Sequence, residues 1–133
     1  MSIIECIRDA FMPVTVSWLI PNRTMLIVMA GDVNLSEFPL SQIRDMLVNA
    51  PNKLDVLHDL SNLNAIHIDW AQLPETVREL RHPNIGRAYY IGGKPNPILV
   101  AFMRLMAALV RQRVYAFSTI EAALNHLQKQ QYT

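Results

Sequence analysis

The spacing of hydrophobic residues changes repeatedly along this chain, and this alternation restricts the possible folds more than any other feature. Between residues 14 and 20 the apolar side chains alternate with Thr15 and Ser17, which is the period of a half-buried strand. Pro21-Asn22 supplies a turn, and residues 24–30 are almost continuously apolar, as in a strand covered on both faces. The two runs predict an antiparallel hairpin that Gly31-Asp32 ends.

Helical and strand-like periods then follow one another to the end of the chain. Apolar residues fall at helical spacing from residue 40 to residue 50, where Pro51 stops the helix. Asn96 is a good cap for another helix, with Pro97 at its first position. The order ββαβαβαβα predicts an α/β domain with a mixed five-stranded sheet and about four helices. The later segments are predicted at residues 54–60 (strand), 75–81 (helix), 85–91 (strand), 97–112 (helix) and 114–117 (strand).

The clearest local signal is the sequence Ser118-Thr119-Ile120-Glu121. It has the pattern of a capping box, in which the serine and the glutamate each bind an unpaired backbone NH of the first helical turn. We therefore predict that Ser118 caps the last helix, whose buried stripe contains Ile120, Ala123, Leu124 and Leu127.

Composition predicts one domain that folds without a metal or a disulfide. The chain has 133 residues, of which 51% are hydrophobic and 17% are charged, and Cys6 is its single cysteine. We expect a single domain at residues 13–133, preceded by an N-terminal extension at residues 1–12. Ile3, Ile4, Ile7 and Phe11 fit an amphipathic helix there only weakly.

Charge and hydropathy exclude two classes of partner. A net charge of +1 argues against nucleic-acid binding through a large basic surface. The longest apolar stretch, residues 97–110, is broken by Arg104 and is shorter than the ~20 residues of a membrane helix. The N-terminus lacks the uninterrupted apolar core of a signal peptide. We expect a cytoplasmic protein that does not span a membrane.

No combination of residues indicates catalysis or a metal. Gly92-Gly93-Lys94 lacks the spacing of a phosphate-binding loop, and His58 and His67 lack the spacing of metal ligands. Asp55 and Asp59 would lie about 13 Å apart on a strand, too far for an acid/base pair. A basic group near one helix end could receive an anionic ligand or a membrane phosphate, but we favour the helix dipole as its explanation: Arg78, Arg81, His82 and Arg87. We expect no catalytic residue, no metal and no cofactor.

Three stretches carry a resemblance to a known family. Residues 56–63 contain Asp59-Leu60-Ser61, similar to the end of the central strand in STAS domains; residues 66–73 follow where that family has its loop and short helix. Residues 114–124 look like its closing strand and helix. The chain therefore resembles the STAS superfamily of sulphate transporters and anti-sigma-factor antagonists, and more narrowly its SpoIIAA-like group of small bacterial proteins.

The resemblance ends at the family's phosphorylation loop. Family antagonists carry a phosphorylatable serine in an aspartate-serine-serine-glycine loop before the second helix. Here Asp69 is retained, whereas Trp70 and Ala71 stand at the serine positions. We expect no serine switch in this loop, and the role is not transferred to Ser61. Trp70 lies either in the core under the second helix or on the surface as a partner anchor. We favour the core.

The resemblance implies a non-enzymatic interaction or signalling module that acts through an unknown protein partner. The alternative is a carrier or sensor of a small apolar or acyl ligand. Asp69 and Trp70 are candidate residues for the partner or ligand surface in either case.

The helix at residues 97–112 has two apolar stripes. One suits packing on the sheet: Ile98, Phe102, Leu105 and Leu109. The other needs separate cover: Leu99, Met103, Met106 and Val110. Either the neighbouring helix or N-terminal segment covers this second stripe, or a second copy does. We favour a homodimer formed through it, because two-fold contacts are the commonest assembly.

Overall fold

Five strands form one mixed sheet in the order β1-β2-β3-β4-β5. The computed structural model describes residues 13–92, 101, 104–106, 108–109 and 113–131. The strands are β1 (Val14–Ile20), β2 (Thr24–Asn34), β3 (Leu54–His67), β4 (Ile85–Gly92) and β5 (Val114–Phe117). β1 pairs antiparallel with β2, and the other three pairings are parallel. The predicted α/β class and the opening hairpin are confirmed.

Helices connect the parallel strands. They are α1 (Leu40–Val48), α2 (Leu73–Leu80), α3 (described at residues 101, 104–106 and 108–109) and α4 (Ile120–Gln131), with a 3₁₀ turn at Leu35–Glu37. None of the described helices is both long enough and apolar enough to cross a membrane. The predicted cap at Asn96 and the predicted amphipathic helix within residues 1–12 lie outside the described residues.

The sheet has a core on each face. On the first face, α1 contributes Ile43 and Leu47, which pack on alternate residues of the central strands. The strand residues of this core include Met25, Ile27, Leu54, Val56, Leu60, Ala88 and Tyr90. On the second face, α4 contributes Ala123 and Leu127, which pack on Leu57, Tyr89 and Ile91. Residues of opposite parity along β3 and β4 thus face opposite layers, as the pleat of a strand requires.

β2 and β3 run further than their hydrophobic patterns predict. The predicted ends at residues 30 and 60 are wrong: β2 continues through Gly31, which has φ of 70°, and β3 continues to His67. The polar ends of these strands pair with each other from Ala30↔Asn62 to Asn34↔His67. Two register irregularities give β3 extra residues in this part, as in bulged strands. Because β4 ends opposite Leu60, the β2–β3 pair extends past its neighbour.

The cap of α4 is one residue later than predicted. The hydroxyl oxygen of Thr119 accepts a hydrogen bond from the backbone NH of Ala122 at 3.2 Å, and the Thr119 carbonyl accepts from Ala123 at 3.3 Å. Ser118 therefore precedes the cap, and the predicted cap at Ser118 is wrong. Either hydroxyl residue suits an N-cap chemically, so the position at which the backbone turns after β5 decides between them.

Candidate functional site

The segment between β3 and α2 is a tight turn whose backbone is held by one aspartate. The backbone NH of Gln72 donates to the carbonyl of Asp69, and the NH of Ala71 donates to Asp69 Oδ1, each at 3.0 Å. Aspartate favours such turns because its carboxylate can bind a backbone NH two residues further on. We call residues 69–72 the Trp70 turn, since the tryptophan occupies its second position.

Trp70 is exposed to solvent over 67% of its surface. The expectation that it packs in the core under α2 is wrong. The reason is the length of β3: because this strand continues to His67, the turn begins past the end of β4. The buried residue at the start of α2 is instead Thr76, which is 1% exposed.

The turn is joined firmly to α2. Both the backbone NH and the hydroxyl of Thr76 donate to the carbonyl of Gln72, at 3.1 Å and 3.2 Å. Pro74 stands in the first turn of the helix, where a missing NH costs nothing. The backbone on each side of Trp70 is therefore restrained, so the indole is presented from an ordered turn.

The Trp70 turn has no hydroxyl group that could accept a phosphate. Trp70 and Ala71 follow Asp69, and Gln72 and Leu73 follow them. The serine that lies upstream, Ser61, is exposed on β3, and its Oγ donates to Asp59 Oδ1 at 2.6 Å. Ser61 and the Trp70 turn thus belong to different parts of the chain.

The expected interface on α3 needs correction. Met106, assigned to the exposed stripe, is only 5% exposed, whereas Leu105, assigned to the sheet-facing stripe, is 42% exposed. The two stripes differ by about one residue of helical rotation, and their apolar content does not show which faces the sheet. Leu99, Met103 and Val110 of the same predicted surface lie outside the described residues.

The histidines and carboxylates singled out in the sequence lie apart. His58 is buried on the first face, and its ring stacks on Tyr90, while His67 is exposed at the end of β3. Asp55 accepts a hydrogen bond from the backbone NH of Arg87 at 2.9 Å, and burial raises the pKa of this carboxyl. The described part of the chain contains no group of His, Cys, Asp and Glu arranged to bind a metal.

The basic residues near α2 contact different parts of the chain. The guanidinium of Arg81 donates to the carbonyl of Leu109 in α3, and His82 Nδ1 accepts from the NH of Asn84 at 3.1 Å. Arg87 lies on β4, where the Tyr89 hydroxyl raises the pKa of its guanidinium.

A polar network under α4 was missed in the sequence. The hydroxyl of Tyr89 lies 3.2 Å from Nδ1 of His126, within hydrogen-bonding distance. The rings of Tyr89 and Tyr115 stack with centroids 5.2 Å apart, and His126 contacts both rings. Burial raises the pKa of the Tyr89 hydroxyl, which keeps it protonated. The aromatic residues of β4 and β5 were the available signal, because their pairing brings side chains of the same parity together.

A parallel β2-β3-β4-β5 sheet with an antiparallel β1 and a helix layer on each face is a SpoIIAA-like fold, the fold of STAS domains. The Trp70 turn occupies the loop of this fold that precedes its second helix.

Comparison with solved structures supports this assignment. An uncharacterised DUF3478 protein from Shewanella loihica PV-4, described as having a SpoIIAA-like fold, superposes with a TM-score of 0.59. The two chains are 13% identical, and the match covers 86% of this chain and 91% of the other. The anti-sigma factor antagonist SpoIIAA in its unphosphorylated form gives a TM-score of 0.53 at 15% identity, over 86% and 97% of the two chains. No protein-family model and no curated protein matches this sequence.

Proposed function

We propose that this chain is a non-enzymatic STAS-like module that acts through protein contacts, with the Trp70 turn as its contact surface. The observation that carries the proposal is the exposure of Trp70 on a turn that Asp69 holds in place. Exposed tryptophans that become buried in a partner are typical anchors of protein interfaces.

The energetics favour this position as an anchor. Burying the exposed two-thirds of an indole removes on the order of 150 Å² from water, which contributes about 4 kcal/mol. Little conformational entropy opposes that gain, because tryptophan has two side-chain torsions and the Asp69 hydrogen bond already orders the backbone. A large apolar side chain on an already ordered backbone is well suited to a compact interface.

The fold comparison supports the same class of function. SpoIIAA is an anti-sigma factor antagonist, a role that involves other proteins, and it shares the fold of this chain. No residue of the Trp70 turn has a hydroxyl. We propose that the module binds its partner without serine phosphorylation at this turn.

The apolar-ligand alternative has less support. On both faces of the described sheet, the strand residues pack against helix residues. No observation within the described ranges favours a carrier over an interaction module.

The homodimer remains a proposal, with a changed surface. Within the described part of α3, Leu105 is the exposed large apolar residue, and Met106 is buried. Light scattering should give twice the chain mass of 15.2 kDa, and Leu105→Glu should return it to the monomer value. A monomer mass for the unmodified chain would rule the dimer out.

Site-specific photo-crosslinking tests the main proposal. A benzophenone amino acid is placed at position 70 in the cell of origin, and at position 18 as the control, because Trp18 is also exposed, at 37%, but lies on β1. We expect one protein to crosslink from position 70 and not from position 18. With that protein purified, Trp70→Ala should weaken binding at least tenfold, and Trp18→Ala should not. Equal binding by both variants would contradict the proposal.

A further inference from the structure

Six of the nine described carboxylates lie at one end of the sheet, and the other three are Asp45, Asp55 and Glu79. We define the acidic end as the end at which the parallel strands finish and α2 and α4 begin. The six described carboxylates there are Asp32, Glu37, Asp59, Asp69, Glu75 and Glu121. Every described lysine and arginine lies at the opposite end or midway along a helix. Those at the opposite end are Arg23, Lys53, Arg78, Arg81, Arg87, Arg113 and Lys129.

Helix dipoles explain part of this separation. Glu75 and Glu121 stand in the first turns of α2 and α4, where a negative charge is favourable, and Arg78 and Lys129 stand in the last turns. The four other carboxylates of the acidic end lie on strands or turns, so the dipole does not account for them. A net charge of +1 for the whole chain conceals this arrangement.

Four of the six carboxylates of the acidic end are held by neutral groups. Asp32 accepts from the amide of Asn64 at 2.8 Å, and Glu37 accepts from the amide of Asn34 at 3.4 Å. Asp59 accepts from the hydroxyl and NH of Ser61, and Asp69 accepts from the NH of Ala71. These bonds position the carboxylates without neutralising them, so their negative charge remains available to a partner.

We propose that the partner of the Trp70 turn presents a basic surface around an apolar pocket. This inference rests on the proposed function and specifies its partner. The indole would fill the pocket, and the surrounding carboxylates would face lysine or arginine side chains. Complementary charge of this kind raises the association rate and excludes acidic partners. Since salt screens exposed charges over about 8–10 Å, binding should weaken as ionic strength rises.

Two synthetic peptides test the charge preference. Both are amphipathic helices with leucine on one face; the polar face carries only lysine in one peptide and only glutamate in the other. Trp70 fluorescence is measured in a Trp18→Phe background, so that the signal comes from one indole. We expect the lysine peptide to shift the emission to shorter wavelength, with affinity falling at least tenfold from low to high salt. The glutamate peptide should have no effect.

Matched variants show which end of the sheet the lysine peptide binds. Asp32→Asn combined with Glu37→Gln and Glu75→Gln should weaken lysine-peptide binding at least tenfold. Lys53→Gln combined with Arg113→Gln, at the opposite end, should leave it unchanged. Equal affinity for both peptides, or lysine-peptide binding that survives Trp70→Ala when it is measured by calorimetry, would overturn the inference. Self-association at low salt that the Lys53 and Arg113 substitutions abolish would also overturn it. The acidic end would then bind a second copy of this chain instead of a basic partner. In each case the crosslinking result at position 70 still decides the proposed function separately.

Discussion

The imidazole of His58 stacks on the phenol ring of Tyr90, with centroids 4.8 Å apart and ring planes inclined by 16°. Both residues lie on the first face of the sheet, and His58 is 7% exposed. Its Nδ1 has no hydrogen-bond partner among the described residues. Burial lowers the pKa of His58 to about 4 and raises the pKa of Tyr90 to about 12, so both rings are neutral in the folded chain near pH 7.

Stability should therefore depend on pH through His58. An unfolded histidine has a pKa of about 6.5, so below that pH the unfolded chain binds a proton that the folded chain does not. The stabilisation is complete above pH ~6.5 and decreases as the pH falls toward 4, by about 3 kcal/mol in total. Urea unfolding at a series of pH values measures this. His58→Phe preserves the ring stack and should flatten the profile between these values; an unchanged profile would show that other groups cause it.

Thr119 should stabilise the last helix, and Ser118 should not. Thr119→Ala removes the acceptor for the NH of Ala122 and should lower the free energy of unfolding by about 1 kcal/mol. Ser118→Ala is the neighbouring control and should change stability by less than about 0.5 kcal/mol. Thermal unfolding followed by circular dichroism compares the two variants. A larger loss for Ser118→Ala would return the cap to the position predicted from the sequence.

Gly86 leaves room for the carboxylate of Asp55. A Cβ at position 86 would lie 2.9 Å from Asp55 Oδ1 and 3.3 Å from the carbonyl oxygen of Leu54. Since Asp55 Oδ1 also accepts from the NH of Arg87, it cannot move away freely. Gly86→Ala should cost about 1–3 kcal/mol of stability.

Gly92 provides the control for that substitution, because a Cβ there would have no described atom within 4 Å. Gly92→Ala should be neutral or slightly stabilising, since alanine reduces the entropy of the unfolded chain. The denaturant midpoints of Gly86→Ala and Gly92→Ala are compared. Equal midpoints would show that the Asp55 carboxylate shifts at little cost.

Truncation of Met106 should destabilise the chain more than truncation of Leu105. Met106→Ala removes a buried side chain and should cost about 2 kcal/mol or more. Leu105→Ala affects a side chain that is 42% exposed and should cost about 0.5 kcal/mol or less in the monomer. Denaturant unfolding at low protein concentration measures the stability loss of each variant. The reverse ranking would restore the stripe assignment predicted from the sequence.

Local periodicity was sufficient to predict the order of elements. The alternation over residues 14–20, the helical spacing after residue 40 and the strand before Ser118 each depend on side chains within a few positions of one another. Each of these elements is present in the structure. The SpoIIAA-like fold follows from their order, because right-handed crossovers leave few arrangements for such a sequence of strands and helices.

Tertiary structure decided the features that depend on distant partners. Gly31, Asp32 and Asn34 have the composition of a turn, yet they belong to β2 because their backbone groups pair with β3. That pairing lengthens β3 to His67, which carries the next turn past β4 and leaves Trp70 in solvent instead of in the core.

Contacts between distant segments also decided which face of α3 is buried and where the charged residues lie. Leu105 and Met106 are comparably apolar, so the packing of the helix against the rest of the chain, and not its sequence, determines which one is buried. The carboxylates of the acidic end are scattered along the chain and lie at one end of the sheet because the parallel strands finish there. Sequence by itself determined which elements form, since hydrophobic periodicity acts over a few residues. Which surfaces they expose depended on pairings between segments tens of residues apart.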